Sequence, residues 1–108
     1  MSLSEGDIAF ALELFEGLGP LTTRKMMGGL CLYADGTIFA MVHSDGAILL
    51  KGANGFDDEL NAAGWRHWSY TRKDGAPSSM PYWYLPEDLL DDPNEACTWA
   101  RKALSALT

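Results

Sequence analysis

A chain of 108 residues, 47% hydrophobic and 21% charged, has apolar side chains enough for one core and too few residues for two. Fifteen acids against eight basic residues give a net charge of −7, which opposes a non-specific grip on nucleic-acid phosphates or an anionic membrane. No apolar run approaches the ~18 residues of a membrane span, and no charged-then-apolar start marks a secretory signal.

Ser4-Glu5-Gly6-Asp7 has the form of a helix start, a hydroxyl cap with an acid three residues on. Ile8, Ala11, Leu12, Phe15 and Leu18 then recur at helical spacing, with Phe10 and Leu14 widening the stripe. Gly17, Gly19 and Pro20 end it. Residues 21–25 read as a lead-in. Three apolar runs follow at 26–33, 37–43 and 47–51, joined by Asp35-Gly36 and Asp45-Gly46. Asp-Gly tolerates the positive φ that a tight hairpin turn demands, so the spacing predicts a three-stranded antiparallel meander.

Gly28 and Gly29 fall inside the first of these strands, where glycine marks a bulge or the close approach of another backbone. Either the sheet bends there to seat a helix or a ring, or a ligand or partner passes over the spot. The strands are apolar on both parities: Leu30 and Leu32 against Cys31 and Tyr33, then Ile38, Ala40 and Val42 against Phe39 and Met41. Such strands are either central in the sheet or have one face covered by helices and the other by a partner, and the second arrangement is a first sign of a homodimer.

Asn54 is a candidate cap for a short helix carried by Phe56, Leu60 and Ala63 and stopped by Gly64. A second hairpin is expected at 65–72 and 78–85. Pro81 has no N–H to give a ladder, which places the last strand at an edge or starts it there. Six of the twelve aromatic residues lie in this hairpin, and interface cores favour Tyr and Trp. Trp68, Tyr70, Tyr82 and Trp83 are therefore the expected partner interface. A single helical turn follows at 86–91. Asp92-Pro93-Asn94-Glu95 opens a last helix, whose Ala96, Trp99, Ala100, Ala103, Leu104 and Leu107 share a face. The expected fold is a two-layer α+β domain, a five-stranded antiparallel sheet with three helices in the order αβββαββα.

Chemistry is sparse. His43 and His67 sit on strands without a motif and read as satisfied or surface histidines. Cys31 and Cys97 read as free thiols of a reduced cytoplasmic chain. No metal-ligand spacing or phosphate-cradling loop occurs, and no base stands beside a nucleophile in a recognisable motif, so no catalytic, cofactor or metal residue is expected. Glu87, Asp88, Asp91 and Asp92 serve capping and solubility. Rings alternating with Arg66 and Arg72 raise base stacking as a function, but the acidic balance works against it.

The run Arg24-Lys25-Met26-Met27-Gly28-Gly29-Leu30-Cys31-Leu32-Tyr33, then Asp35-Gly36-Thr37-Ile38-Phe39-Ala40 and Leu49-Leu50-Lys51, resembles the N-terminal domain of the TfoX/Sxy regulators of bacterial competence. Phe56, Ala62-Ala63-Gly64, Tyr70-Thr71-Arg72-Lys73, Met80-Pro81-Tyr82-Trp83, Pro86-Glu87 and Leu90-Asp91-Asp92-Pro93 continue the likeness in order, with Met27 standing where the family more often has Phe. The resemblance implies one α+β domain over 1–108 and a part in transcriptional control beside a cAMP-receptor-type activator. The family's regulators carry a second, helical domain, and the resemblance implies no catalytic residues. The expected function is a non-enzymatic protein-interaction domain, dimeric and without a cofactor. The alternatives are a small-ligand site or enzyme pocket near Gly28-Gly29, and direct DNA contact.

Overall fold

Ser4 does what its hydroxyl predicts: Oγ accepts the Asp7 N–H at 3.1 Å and starts helix α1 (Glu5–Leu14), which a 3₁₀ turn at Glu16–Leu18 extends. The computed structural model describes residues 4–26, 29–71, 73–75 and 77–107, and the side chains of all of these except 70, 71 and 77–79. Strands β1 (Leu21–Met26), β2 (Gly29–Ala34), β3 (Thr37–Val42) and β4 (Ile48–Lys51) come next, then helix α2 (Phe56–Ala62). Strands β5 (His67–Thr71) and β6 (Pro77–Tyr84), a 3₁₀ turn at Glu87–Asp91 and helix α3 (Pro93–Leu107) complete the chain. All pairings are antiparallel, in the spatial order β1-β2-β3-β4-β6-β5.

The α+β class and three helices agree with the sequence; the strand count does not. Among the described residues six strands stand in place of five, because the expected lead-in is β1, and Met26 pairs with Gly29 as part of two strands instead of one. β1 is an exposed edge carrying Thr22-Thr23-Arg24-Lys25, and a strand wet on both faces has no hydrophobic alternation to reveal it. Pro81 is a second correction. β6 is interior, between β4 and β5, and Pro81 lies where the β5–β6 ladder slips between His67 and Ser69. The slip is where a missing N–H is tolerated, and the Pro81 carbonyl still accepts the Gly52 N–H at 3.0 Å. Asn54 is not the cap either. It takes φ +54 and its amide donates to the Ala106 carbonyl at 2.7 Å, tying the start of α2 to the end of α3, while Gly55 occupies the cap position.

Asp35 and Gly36 both adopt positive φ, +52 and +78, the pair that a two-residue hairpin requires. The β3–β4 connection is longer: Gly46 N–H reaches the His43 carbonyl at 2.8 Å and Asp45 Oδ1 accepts the Ala47 N–H at 2.9 Å. Between β2 and β3 the register slips. Tyr33 faces Ile38 and Leu32 faces Ala40, so Phe39 is the extra residue of a bulge. Phe39 and Ala40 are therefore both core residues despite being neighbours, and strict alternation fails there. The Phe39 ring meets Phe15 edge-on, centroids 5.3 Å apart.

One face of the sheet carries the core. Leu30, Leu32, Val42, Leu50 and Trp83 pack with Leu14 and Phe15 of the α1 end, Leu60 of α2, and Ala96, Ala100 and Ala103 of α3. The alanine row lets α3 lie close. Trp83 is pinned from several sides. Its Nε1 donates to Asn61 Oδ1 at 2.9 Å, and the His67 ring stacks on it at 4.1 Å. A Cβ placed on Gly52 would stand 2.7 Å from Trp83 Cζ3 and 3.0 Å from Leu60 Cδ1. Gly52→Ala is accordingly expected to cost about 1–3 kcal/mol by overpacking, read as a lower urea midpoint at unchanged slope. An unchanged midpoint would refute that packing.

Candidate binding cleft on the open sheet face

The face away from the helices is not bare. Cys31, Leu49 and Tyr82 are buried yet stand outside the helix-side core. Parity explains it: Arg24 pairs with Cys31, Cys31 with Met41, and Lys51 with Tyr82, and directly opposed residues share a face. Over this face the β5–β6 hairpin curls. Three strand spacings separate β3 from β5, about 14 Å in a flat sheet. Nevertheless the Trp68 ring of β5 meets His43, just beyond β3, edge-on at 5.2 Å. The fold-over leaves a cleft of about 260 Å³, walled by Met26, Gly29, Cys31, Ile38, Met41, His43, Ser44, Trp68, Met80 and Tyr82.

Of the residues expected at an interface, the structure brings Trp68 and Tyr82 together here and turns Trp83 the other way. Tyr82 and Trp83 are consecutive in a strand and cannot share a face. Trp83, 4% exposed, is core. The backbone of Tyr70 lies in β5 and its side chain is outside the described residues, as is all of Gly28. Gly29 is described. It faces Met26 in register, while the bulge lies farther along, at Phe39. A Cβ on Gly29 would stand 2.5 Å from the Val42 carbonyl oxygen, so another backbone does approach closely there. Sequence reasoning passed over Cys31, Ile38, Met41, His43 and Met80 as lining residues. For the first three the off-core parity of the meander was the available signal.

The cleft's polar groups are few. Asp45 Oδ1 and Ser44 Oγ lie 3.3 and 3.4 Å from His43 Nδ1. Both address the same ring nitrogen, whereas a nucleophile relay needs the hydroxyl and the carboxylate on opposite nitrogens. His67 Nε2–H donates to the Met80 carbonyl at 2.6 Å and stacks on Trp83, so it is a satisfied, half-buried histidine. Burial pushes the Cys31 thiol up, an effect that nearby Arg24 and Lys51 partly offset. A thiol held protonated is a poor nucleophile. Among the described residues no three His, Cys, Asp or Glu side chains converge to hold a metal.

Burial pushes the Tyr82 phenol up to about 12, with Cys31 and Tyr33 adding to it. The unfolded chain releases this proton near pH ~10 while the folded one keeps it, so the contribution is intact below that and falls as pH rises toward 12. Tyr82→Phe is expected to flatten the part of the alkaline stability loss that wild type shows over that window. Urea titrations that decline in parallel for both proteins would refute it.

The sequence matches the TfoX N-terminal domain over residues 13–107, nearly the whole chain. The chain belongs to that family. This agrees with the resemblance seen in the sequence and attaches the cleft to a TfoX N-terminal domain; a search of curated proteins with this chain found no match. No helix among the described residues of this TfoX domain is long and apolar enough to cross a membrane.

Proposed function

We propose that this TfoX N-terminal domain is a non-enzymatic interaction module that binds protein through the open face of its sheet. Trp68 and Tyr82 are the anchors, and the setting is a cytoplasmic co-regulator of competence transcription acting beside a cAMP-receptor-type activator. The observation that supports this reading is the apolar cleft itself, a concave surface with the rings of Trp68 and Tyr82 and three methionines, on a face that no helix among the described residues covers. Rings and methionines in a partly desolvated hollow are what protein hot spots are made of. Self-association into a homodimer is the simplest form of such binding. Light scattering across a concentration series, repeated on Trp68→Ala, tests it. A strict monomer at every concentration that also retrieves no partner in a pull-down would remove the reading.

A small-ligand site is the second reading, favoured because Gly29 and the rings enclose a defined volume. At about 260 Å³ the cleft is slightly below the ~300–1,000 Å³ of ordinary ligand pockets, which fits an anchoring side chain better than a whole cofactor. Thermal shift across a metabolite panel tests this second reading. Direct DNA binding is the third, and a band shift that fails even at low salt would exclude it.

A further inference from the structure

The chain's charge is unevenly distributed. Among the described residues no strand carries an acid, although the chain has fifteen; Arg24, Lys25 and Lys51 all lie in strands. The acids occupy the helices, the 3₁₀ turns and the connections. Register places two of the three strand cations on the open face: Arg24 is opposite Cys31 on β1–β2, and Lys51 is opposite Tyr82 on β4–β6. Both partners line the cleft. Asp45 stands at the turn end of β3 and β4, where it is engaged with His43. Lys51 is at the other end of β4. An acidic protein thus has an apolar hollow flanked by two cations. Because exposed charges are screened beyond about 8–10 Å in physiological salt, this local pair weighs more at the cleft than any acid beyond that range.

We propose that the segment received by this face is an acidic–hydrophobic peptide of a partner protein, with an apolar side chain seated between Trp68, Met41 and Tyr82 and a flanking Asp or Glu reaching Arg24 or Lys51. The inference rests on the open face being a protein-binding surface and adds what the partner must carry. It also accounts for the placement of cations in a −7 chain: opposite charge at the rim of an apolar contact speeds encounter and rejects basic or neutral competitors.

The test is selection of random displayed peptides on the immobilised domain, with binding then measured for synthetic versions of those selected. Selected peptides are expected to join Leu, Phe or Trp to Asp or Glu. Their affinity is expected to fall roughly tenfold on Arg24→Glu/Lys51→Glu, and to weaken as salt rises. The milder Arg24→Gln/Lys51→Gln, checked for native melting, guards against misfolding and should show a smaller fall of the same sign. Peptides with apolar anchors and no acids, or equal affinity for wild type and both variants, would overturn the charge claim while leaving the protein-binding reading intact. Acidic peptides that bind Trp68→Ala as well as wild type would overturn the placement, and with it the open-face reading. Self-association lost on the charge-reversed variant, with no peptide selected, would overturn the foreign partner in favour of a second copy.

Discussion

Gly29→Val is expected to lower the unfolding free energy by about 3 kcal/mol or more, at or beyond the upper end of ordinary overpacking. The reason is what the new atom would meet. A Cβ at this position would stand 2.5 Å from the Val42 carbonyl oxygen and 3.6 Å from the His43 Cα. These are backbone atoms of the neighbouring strand and its turn, so the contact cannot be relieved by a rotamer change. β2 must move off β3, and the Leu30–Val42 pairing beside it must open. Since the clash belongs to Cβ, Gly29→Ala should already show most of the loss, and the branched methyls of valine add the remainder. Gly6 is the control. It lies in the first turn of α1, and an added Cβ there meets only Ser4 Oγ at 3.8 Å. Gly6→Ala should be neutral or stabilise by up to about 1 kcal/mol, through helix propensity and a less flexible unfolded chain. Urea unfolding of the three variants decides it; equal midpoints for Gly29→Ala and wild type would refute the close approach.

Where local chemistry dictates conformation, the sequence could be read directly. Ser4, Asp35-Gly36 and Asp92-Pro93 behave as their side chains and φ preferences require. Failures came where conformation depends on something other than the residue's own neighbours. β1 was missed because a wet edge strand needs no apolar alternation. The bulge at Phe39 was missed because one extra residue reverses parity without altering composition. Pro81 was misplaced because only the pairing of β6 shows that the ladder already slips there. The cleft was half visible. Trp68, Tyr82 and Gly29 were singled out, but the curl that brings Trp68 to His43 across three strand spacings has no periodic signature. Trp83 and Tyr82 belong to opposite faces by the period of two alone, a separation already legible once the strand is accepted.

That separation carries the other large effect. Trp83→Ala is expected to cost about 3–5 kcal/mol, the range for removing a large aromatic side chain from a core. The ring is 4% exposed, stacks against His67, packs over Gly52 and donates to Asn61, and every one of those contacts is lost at once. Trp68→Ala should cost only about 1–2 kcal/mol, because its ring is half-buried and part of its apolar surface is already in water. The two substitutions should then reverse in rank when binding is measured. Trp83→Ala, studied at a temperature where it remains folded, keeps Tyr82, Met41 and Trp68 around the cleft and should retain most of the affinity for any ligand of that face. Trp68→Ala removes the wall that closes the hollow against His43 and should abolish it. Stability and affinity falling together for both variants would mean that the two faces of β6 are not separable. The aromatic hairpin would then be a single packing unit with no surface reserved for a partner.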